Sequence, residues 1–241
     1  MQTIETLFTP AEFSLLPQRD LSRTVCVVFD VLRATSTIIT ALANGAAGVI
    51  PVSEISEALA IRERDPDVLL AGEREGLRIS DDFEFGNSPR EFTSDRVSGK
   101  TIVTTTTNGT RALRSCAHGQ LVLVGSFLSL NTTIATARAT EADSLLLVCG
   151  GTFERAAYED VLCAGAVADA FELAHDDATL LARNAYRSVG NDLLGALSQA
   201  ENGKRLLSRR ELADDVAFCA QVDCFNIAAS LTADGVIRKS R

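Results

Sequence analysis

Residues 28–37 read Val-Phe-Asp-Val-Leu-Arg-Ala-Thr-Ser-Thr, and this stretch joins a buried strand to a helix. The apolar residues before Asp30 predict the strand, and Thr35 and Ser36 stand where a helical pattern begins, close to Arg33. A carboxylate at a strand end can bind a metal ion, and a helix N-terminus with hydroxyls and an arginine can bind phosphate. We therefore predict Thr35 and Ser36 as phosphate-binding residues. The alternative is a strand followed by a helix whose start is simply well capped.

Outward from this stretch, apolar strand-like runs alternate with helix-like runs. The predicted strands are 3–8, 25–29, 48–52, 68–71, 101–105, 121–124 and 145–149. Helices are predicted between most of them, and the chain reads as mostly helical from about residue 178. This alternation is typical of an α/β fold. We expect a single α/β domain over residues 1–241, a three-layer α/β/α architecture with a mostly parallel or mixed sheet and a helical C-terminal region.

Composition and charge exclude some classes of binding partner for this protein. The chain has 241 residues and a formal net charge of −9. Nucleic-acid and anionic-membrane surfaces need a basic face, so we expect neither partner. Residues 1–20 lack the basic start and apolar core of a secretory signal, and no apolar run is long enough for a membrane span. We therefore expect a cytoplasmic protein.

The cysteines and histidines argue against two common kinds of site. The six cysteines include no pair with Cys-x-x-Cys spacing, so a structural zinc site is not expected. Only two histidines occur, His118 and His175. With so few histidines, we expect neither a histidine-rich metal site nor a Ser-His-Asp triad.

Two further polar loops follow predicted strands. The first, residues 72–76, contains Glu73 and Arg74, and the second reads Thr-Thr-Thr-Thr-Asn-Gly-Thr-Arg over residues 104–111. Glycine lets the main chain approach a ligand, successive N–H groups bind anions, and hydroxyls and arginine bind phosphate oxygens. The predicted contact residues of the second loop are Thr107, Asn108, Gly109, Thr110 and Arg111. The alternative is a threonine-rich strand with a capped turn.

The loop after residue 149 allows a different enzyme class. Cys149 and Arg155 have the Cys-x5-Arg spacing of thiol phosphatases, whose loop wraps a phosphate around a low-pKa thiolate. Residue 148 is valine where that motif has histidine, and no general acid is evident. Glu159 and Asp160 open the next helix, where acids suit the helix dipole and where they could also reach a metal ion.

Carboxylates at these loops indicate a magnesium site. Asp30, Glu73 and Asp160 come from three loops that we expect to share one edge of the sheet. Oxygen ligands without histidine or thiolate suit Mg²⁺, which binds a few carboxylates plus substrate phosphate. We therefore predict these three acids as metal ligands, with arginine, threonine and N–H groups taking the remaining anionic charge.

Five segments, in their order along the chain, resemble the 2-phosphosulfolactate phosphatase family. They are Val-Phe-Asp-Val-Leu-Arg-Ala-Thr-Ser-Thr-Ile (28–38), Leu-Ala-Gly-Glu-Arg (70–74), Phe-Glu-Phe-Gly-Asn-Ser-Pro (83–89), Thr-Asn-Gly-Thr-Arg-Ala-Leu (107–113) and Glu-Asp-Val-Leu-Cys-Ala-Gly-Ala (159–166). The resemblance implies a magnesium-dependent phosphatase that converts 2-phosphosulfolactate to 3-sulfolactate and phosphate. In methane-producing archaea that step lies on the route to coenzyme M. The implied partner is a small anionic phosphoester substrate.

This substrate carries phosphate, sulfonate and carboxylate groups, so we expect several arginines around it. Arg33, Arg74 and Arg111 are the candidates, and Asp30 and Arg33 are the predicted catalytic residues. Two mechanisms stay open: attack by the Asp30 carboxylate to give an aspartyl-phosphate, or attack by a water activated by Mg²⁺. We favour water, because Leu32 stands where aspartyl phosphatases of the haloacid-dehalogenase type have their second aspartate.

A non-catalytic sensor of a phosphorylated or sulfonated metabolite is the alternative class of function. It would be stabilised by its ligand without turnover. The carboxylates at the loops argue against it, since an anion binder avoids them unless a metal ion intervenes. Assembly into a homo-oligomer stays open.

Overall fold

Strands and helices alternate along the chain. The computed structural model describes residues 1–74 and 77–240, so Glu75 and Gly76 of the loop predicted at 72–76 lie outside the described residues. The strands are β1 (Thr3–Leu7), β2 (Thr24–Phe29), β3 (Gly48–Val52), β4 (Leu69–Arg74), β5 (Leu77–Arg78), β6 (Thr101–Thr105), β7 (Leu121–Gly125), β8 (Ser144–Cys149), β9 (Ala174–His175), β10 (Ala229–Leu231) and β11 (Ile237–Lys239). The α-helices are α1 (Pro10–Phe13), α2 (Ala34–Ala43), α3 (Ile55–Arg64), α4 (Ser94–Val97), α5 (Gly109–Ser115), α6 (Leu130–Ala139), α7 (Tyr158–Asp169), α8 (Asp177–Val189), α9 (Leu193–Gln199), α10 (Glu201–Leu207) and α11 (Ala213–Cys219). Within the described residues, no helix has the length and apolar content that crossing a membrane requires.

The strands of the described residues form one mixed sheet, in the order β5-β4-β6-β3-β11-β10-β7-β2-β8-β1-β9. β4, β6 and β3 are parallel to one another, and so are β7, β2, β8, β1 and β9. The hairpin of β10 and β11 lies between these two groups and pairs antiparallel with β7 and β3. We predicted a mostly parallel or mixed sheet, and the structure confirms the second alternative: the sheet is mixed.

The hairpin makes the two groups of parallel strands run in opposite directions along the sheet. Three consecutive antiparallel pairings separate β3 from β7, whereas the sequence analysis assumed that the loops share one edge. The carboxyl ends of the two groups still meet in space. A Cβ atom placed on Gly109, after β6, would lie 2.6 Å from Asp30 Oδ2, after β2.

Helices cover both faces of the sheet. In β2, Val25, Val27 and Phe29 pack in one buried cluster with residues of α6 and α7. Cys26 and Val28 alternate with them and pack in a second buried cluster with residues of α2 and α5. Side chains that are buried on both sides of a strand require cover on both sides. The three-layer α/β/α prediction is confirmed.

The C-terminal region is helical as predicted up to residue 219, in α8 to α11, and then differs from the prediction. Residues 229–239 contain the hairpin of β10 and β11, which the sequence analysis missed. The overlooked signal is Asp234-Gly235, because this dipeptide is typical of hairpin turns between short apolar runs. Gly235 has a φ of +80°, and Thr232 N donates to Val236 O at 2.9 Å across the turn.

A buried carboxylate connects α11 to the rest of the chain. Asp215 is fully buried. It accepts hydrogen bonds from Arg33 Nη1 at 2.6 Å, Ser88 Oγ at 2.7 Å and Arg90 Nε at 2.8 Å. The side chain of Arg33 is itself only 3% exposed. Three distant parts of the chain therefore meet at one side chain through charge-assisted hydrogen bonds.

Truncating Ile237 should destabilise the fold, because this buried side chain lies where the hairpin pairs with β3. We expect Ile237→Ala to lower the free energy of unfolding by about 2–5 kcal/mol, the usual cost of truncating a buried isoleucine. Urea denaturation followed by circular dichroism measures this change. Val222→Ala is the control: its side chain is 53% exposed, and the expected change is less than about 0.5 kcal/mol. Equal effects of the two variants would contradict the role given to the hairpin.

Asp215→Asn should also destabilise the protein, because it removes a buried negative charge that contacts the guanidinium groups of Arg33 and Arg90. Removing one partner of a buried ion pair costs about 3–5 kcal/mol of unfolding free energy. The matched control is Asp214→Asn, since Asp214 contacts Arg90 at 3.2 Å but is 77% exposed; its expected cost is at most about 1 kcal/mol. The same denaturation experiment compares the two. A cost for Asp215→Asn as small as that for Asp214→Asn would show that the buried pair does not hold α11.

Candidate active site

Main-chain hydrogen bonds hold Asp30 at the start of α2. Its Oδ1 accepts from Ala34 N at 3.2 Å, and its own N–H donates to Thr35 Oγ1 at 3.1 Å. The N–H of Thr35 donates to the Asp30 carbonyl oxygen at 2.9 Å. Thr35 is fully buried, so in this structure its hydroxyl fixes the loop that carries Asp30.

Glu73 joins the end of β4 to the loop after β6. It is buried, and its Oε1 accepts hydrogen bonds from the N–H of Thr107 at 2.9 Å and from the Thr107 hydroxyl at 3.0 Å. The loop predicted from the threonine-rich stretch is therefore held against the acid predicted from the preceding loop.

Asn108 and Gly109 bring the loop after β6 to the loops after β2 and β8. Asn108 Nδ2 donates to the carbonyl oxygens of Gly151 and Phe153, both at 3.0 Å. Its Oδ1 is buried and has no hydrogen-bond partner among the residues described. Gly109 lies so close to Asp30 that any side chain there would meet the carboxylate. Glycine at 109 is thus required by the close approach of the two loops.

Two adjacent acids at the start of α7 are also buried. Asp160 Oδ1 accepts from Val31 N at 2.8 Å, and its Oδ2 accepts from Gly151 N at 3.0 Å. Glu159 Oε1 accepts from Asn202 Nδ2 at 2.5 Å, whereas its Oε2 is buried and has no partner within the described ranges. Asp160 therefore holds the loops after β2 and β8 together.

Burial and repulsion from neighbouring acids raise the pKa values of Asp30, Asp160 and Glu159. The pKa of Asp30 is raised to about 7, first by burial and then by the charges of Glu73 and Glu159. The pKa of Asp160 lies well above its usual range, because of burial and then the charges of Glu159 and Asp30. Burial also raises the pKa of Glu159. Ionised carboxylates repel one another in such a poorly solvated place, so the site favours a cation.

One cavity brings together part of the predicted site. The predicted residues that line it are Asp30, Arg33, Glu73, Thr107 and Asn108. The predicted residues outside its wall are Thr35, Ser36, Arg74, Gly109, Thr110, Arg111 and Asp160. The cavity therefore lies where the end of β4 meets the loops after β2, β6 and β8.

The hydroxyl groups of Ser36 and Thr110, both predicted to bind phosphate, form hydrogen bonds inside the protein instead. Ser36 Oγ donates to the carbonyl oxygen of Val31 at 2.8 Å. Thr110 Oγ1 donates to the carbonyl oxygen of Thr106 at 3.1 Å. Both side chains are fully buried, so the structure does not bring them to the cavity.

Two predicted arginines point to other partners. Arg74 Nη2 donates to Thr105 Oγ1 at 3.1 Å. Arg111 forms an ion pair with Glu154 at 3.5 Å, and both of these side chains are largely exposed. The structure therefore separates Arg74 and Arg111 from Arg33, with which the sequence analysis grouped them.

Cys149 lacks the environment of a thiolate nucleophile. It is fully buried, and burial raises the pKa of its thiol well above the usual value. Arg155, its predicted partner, forms an exposed ion pair with Glu201 at 2.7 Å. A reactive cysteine needs an accessible, electropositive place, so the structure gives the thiol alternative no support.

A large part of the cavity wall was not predicted from the sequence. The unassigned residues are Leu32, Asn87, Gly151, Thr152, Phe153, Asn202, Arg205 and Leu206. Three of them come from α10, so a C-terminal helix forms part of the site. Nothing in the sequence of α10 distinguishes it from an ordinary amphipathic helix. For Asn87 a signal existed, because it lies in the segment 83–89 that supports the family resemblance.

The oxygen atoms of the cavity suit a hard divalent cation. Asp30, Glu73 and Asn108 line it, and Asn108 Oδ1 is buried without a hydrogen-bond partner among the described residues. Mg²⁺ binds oxygen ligands, often through only one or two carboxylates, and keeps several waters. In residues 1–74 and 77–240, no group of three or more His, Cys, Asp or Glu side chains has the arrangement of a metal site. The fit therefore rests on two carboxylates and a neutral oxygen.

Comparisons with known proteins identify the family. The profile of the family described as 2-phosphosulpholactate phosphatase matches residues 11–234. A protein of Caldanaerobacter subterraneus subsp. tengcongensis, named probable 2-phosphosulfolactate phosphatase, is 36% identical over 100% of this chain and 98% of its own length. A protein of Thermotoga petrophila with the same name is 41% identical over 85% of this chain and 88% of its own length. Because these matches run through most of the chain, the protein belongs to the 2-phosphosulfolactate phosphatase family.

Proposed function

We propose that this chain is a magnesium-dependent phosphatase, built as a single α/β domain, that hydrolyses 2-phosphosulfolactate to 3-sulfolactate and phosphate in the cytoplasm. The observation that carries the proposal is the cavity that Asp30, Glu73, Asn108 and Arg33 line together. Such a wall offers oxygen ligands to a divalent cation and a guanidinium to phosphoryl oxygens. Membership of the family supports the choice of substrate.

Asp30 and Glu73 are the residues that would hold Mg²⁺, with Asn108 Oδ1 as a neutral ligand and Asp160 as a further candidate. When bound, Mg²⁺ neutralises the charge on the phosphoryl oxygens. Asp160 has a second role, because both of its carboxylate oxygens accept main-chain N–H groups. It thereby keeps two loops of the site in place.

Arg33 is proposed to bind the phosphoryl group. Its side chain lines the cavity, and Nη1 donates to the buried Asp215. A guanidinium that is held by a carboxylate keeps a fixed plane, which favours oriented contact with phosphate oxygens. Asp215 is thus proposed as the residue that orients Arg33.

For the attack on phosphorus, we propose that Asp30 orients a water molecule. The carboxylate has a fixed position, because it accepts from Ala34 N and lies against Gly109. The competing mechanism has Asp30 attack directly and form an aspartyl-phosphate. Aspartyl phosphatases of the haloacid-dehalogenase type carry a second aspartate two positions beyond the nucleophile, where this chain has the apolar Leu32 in the cavity wall. Trapping labelled phosphate on Asp30 would overturn our preference.

Phosphate release from 2-phosphosulfolactate tests the proposed function. We expect turnover with Mg²⁺, loss of turnover with EDTA and recovery when Mg²⁺ is added in excess. Iodoacetamide should leave the activity intact, because Cys149 is fully buried. Activity that survives chelation but is lost on alkylation would favour the thiol mechanism. Stabilisation by the substrate without any phosphate release would indicate the non-catalytic binder instead.

Mg²⁺ should stabilise the protein in the absence of substrate. An ion that binds only the folded state contributes about 2.7 kcal/mol at one hundred times its dissociation constant. We expect Asp30→Asn and Glu73→Gln to reduce the Mg²⁺-dependent rise in melting temperature, measured by differential scanning fluorimetry. Glu141→Gln removes an exposed acid elsewhere and should leave that rise unchanged. A rise that persists in both site variants would place the ion away from the cavity.

A further inference from the structure

The positive charge of the cavity comes from two arginines with different surroundings. Among the described residues of its wall, the cationic side chains are Arg33 and Arg205. Arg33 contacts the buried carboxylate of Asp215 at 2.6 Å. Arg205 comes from α10, and its guanidinium donates to the neutral side-chain amide of Asn202.

Asn202 orients Arg205. Arg205 Nη2 donates to Asn202 Oδ1 at 2.7 Å. The other end of the same amide, Nδ2, donates to Glu159 Oε1 at 2.5 Å and to Thr152 Oγ1 at 2.6 Å. Asn202 is buried. Because the oxygen and the nitrogen of this amide both form hydrogen bonds, the orientation of the Asn202 side chain is fixed, and its oxygen points to Arg205.

The helix that carries Arg205 is also fixed. Leu206 is buried in the same apolar cluster as residues of α6 and α7. A Cβ atom on Gly203 would lie 1.9 Å from the carbonyl oxygen of Leu197 in α9, so the two helices are in direct main-chain contact. A residue on such a tightly packed helix presents its charge at a defined place, which lowers the cost of binding.

One donor of Arg205 is not used by any residue that the structure describes. Its Nε is buried and has no hydrogen-bond partner among residues 1–74 and 77–240. A buried donor without an acceptor costs about 1–3 kcal/mol, and of the arginines that have such a nitrogen among the described residues, Arg205 is the one that lines the cavity. An oxyanion that reaches Arg205 in the cavity would supply the acceptor and balance the charge.

We infer that Arg205, oriented by Asn202, binds the second acidic group of the substrate, the one that does not react, and so selects phosphoesters that carry an additional oxyanion. This inference rests on the proposed function for the identity of the substrate, in which that group is the sulfonate or the carboxylate. Asp30 follows β2 and Glu73 lies near the end of β4, whereas Arg205 stands on α10. The phosphoryl group and the second anion thus have separate contacts in one cavity.

A pair of secondary phosphoesters tests the inference. 2-Phosphosulfolactate carries two further acidic groups, whereas glycerol 2-phosphate has neutral hydroxymethyl groups in the same positions. We expect Arg205→Gln to lower kcat/KM for 2-phosphosulfolactate at least about tenfold, mainly through KM, and to change it less than about twofold for glycerol 2-phosphate. Arg205→Lys should recover part of the loss, because it keeps the charge but not the planar donors. Lys204→Gln removes an exposed charge from the same helix and should change neither substrate.

Binding of 3-sulfolactate, which has no phosphate, gives a second measurement. By calorimetry we expect its dissociation constant to rise at least about tenfold in Arg205→Gln and not in Lys204→Gln. Equal losses on both phosphoesters, or no loss on either, would overturn the inference. If the native chain does not hydrolyse 2-phosphosulfolactate, the proposed function fails. In that case, Arg205-dependent binding of 3-sulfolactate would still support the inference, and absence of binding would overturn it.

Discussion

Buried carboxylates connect the parts of this site, and they differ in whether they line the cavity. Asp215 accepts hydrogen bonds from three side chains and joins α11 to the loops that precede it. Asp160 accepts from the main chain of the loops after β2 and β8. Removing such a group would leave buried donors without partners, so both hold the architecture in place. Asp30 and Glu73 instead line the cavity, where their charges repel each other and a cation would relieve the repulsion.

The site lies between two groups of strands that run in opposite directions. β2 and β8 precede Asp30 and residues 151–153, whereas β4 and β6 lead to Glu73 and Asn108. The hydrogen bonds of Asn108 to the loop after β8 cross from one group to the other. The relative position of the groups depends on the hairpin of β10 and β11, which the sheet order places between them. Residues far from the cavity thus determine how its two sides meet.

Local patterns predicted more of this protein than long-range pairing did. The bounds of β3 and β6 were predicted to the residue, because a short apolar run between turns is a local signal. The meeting of Asp30, Glu73 and Asn108 was also expected, but from the assumption of one shared edge, and the antiparallel hairpin that actually relates their strands was missed. The role of Arg205 was beyond the sequence analysis, because it depends on how α10 packs against α9. The hydrogen bond of Arg74 to Thr105 was not predicted for a similar reason, since the partner of a long side chain is decided by tertiary structure.

The hairpin strands β10 and β11 leave the ribosome later than β3 and β7, the strands with which they pair. β3 ends at Val52 and β11 begins at Ile237, so at about 5–20 residues per second their synthesis is separated by on the order of 10–40 s. During that interval β3 and β7 each keep an edge open that β11 and β10 will later cover, and open edges pair readily with other chains. The nascent chain is therefore most exposed to aggregation and most dependent on chaperones shortly before residues 229–239 emerge, when most of its core already exists.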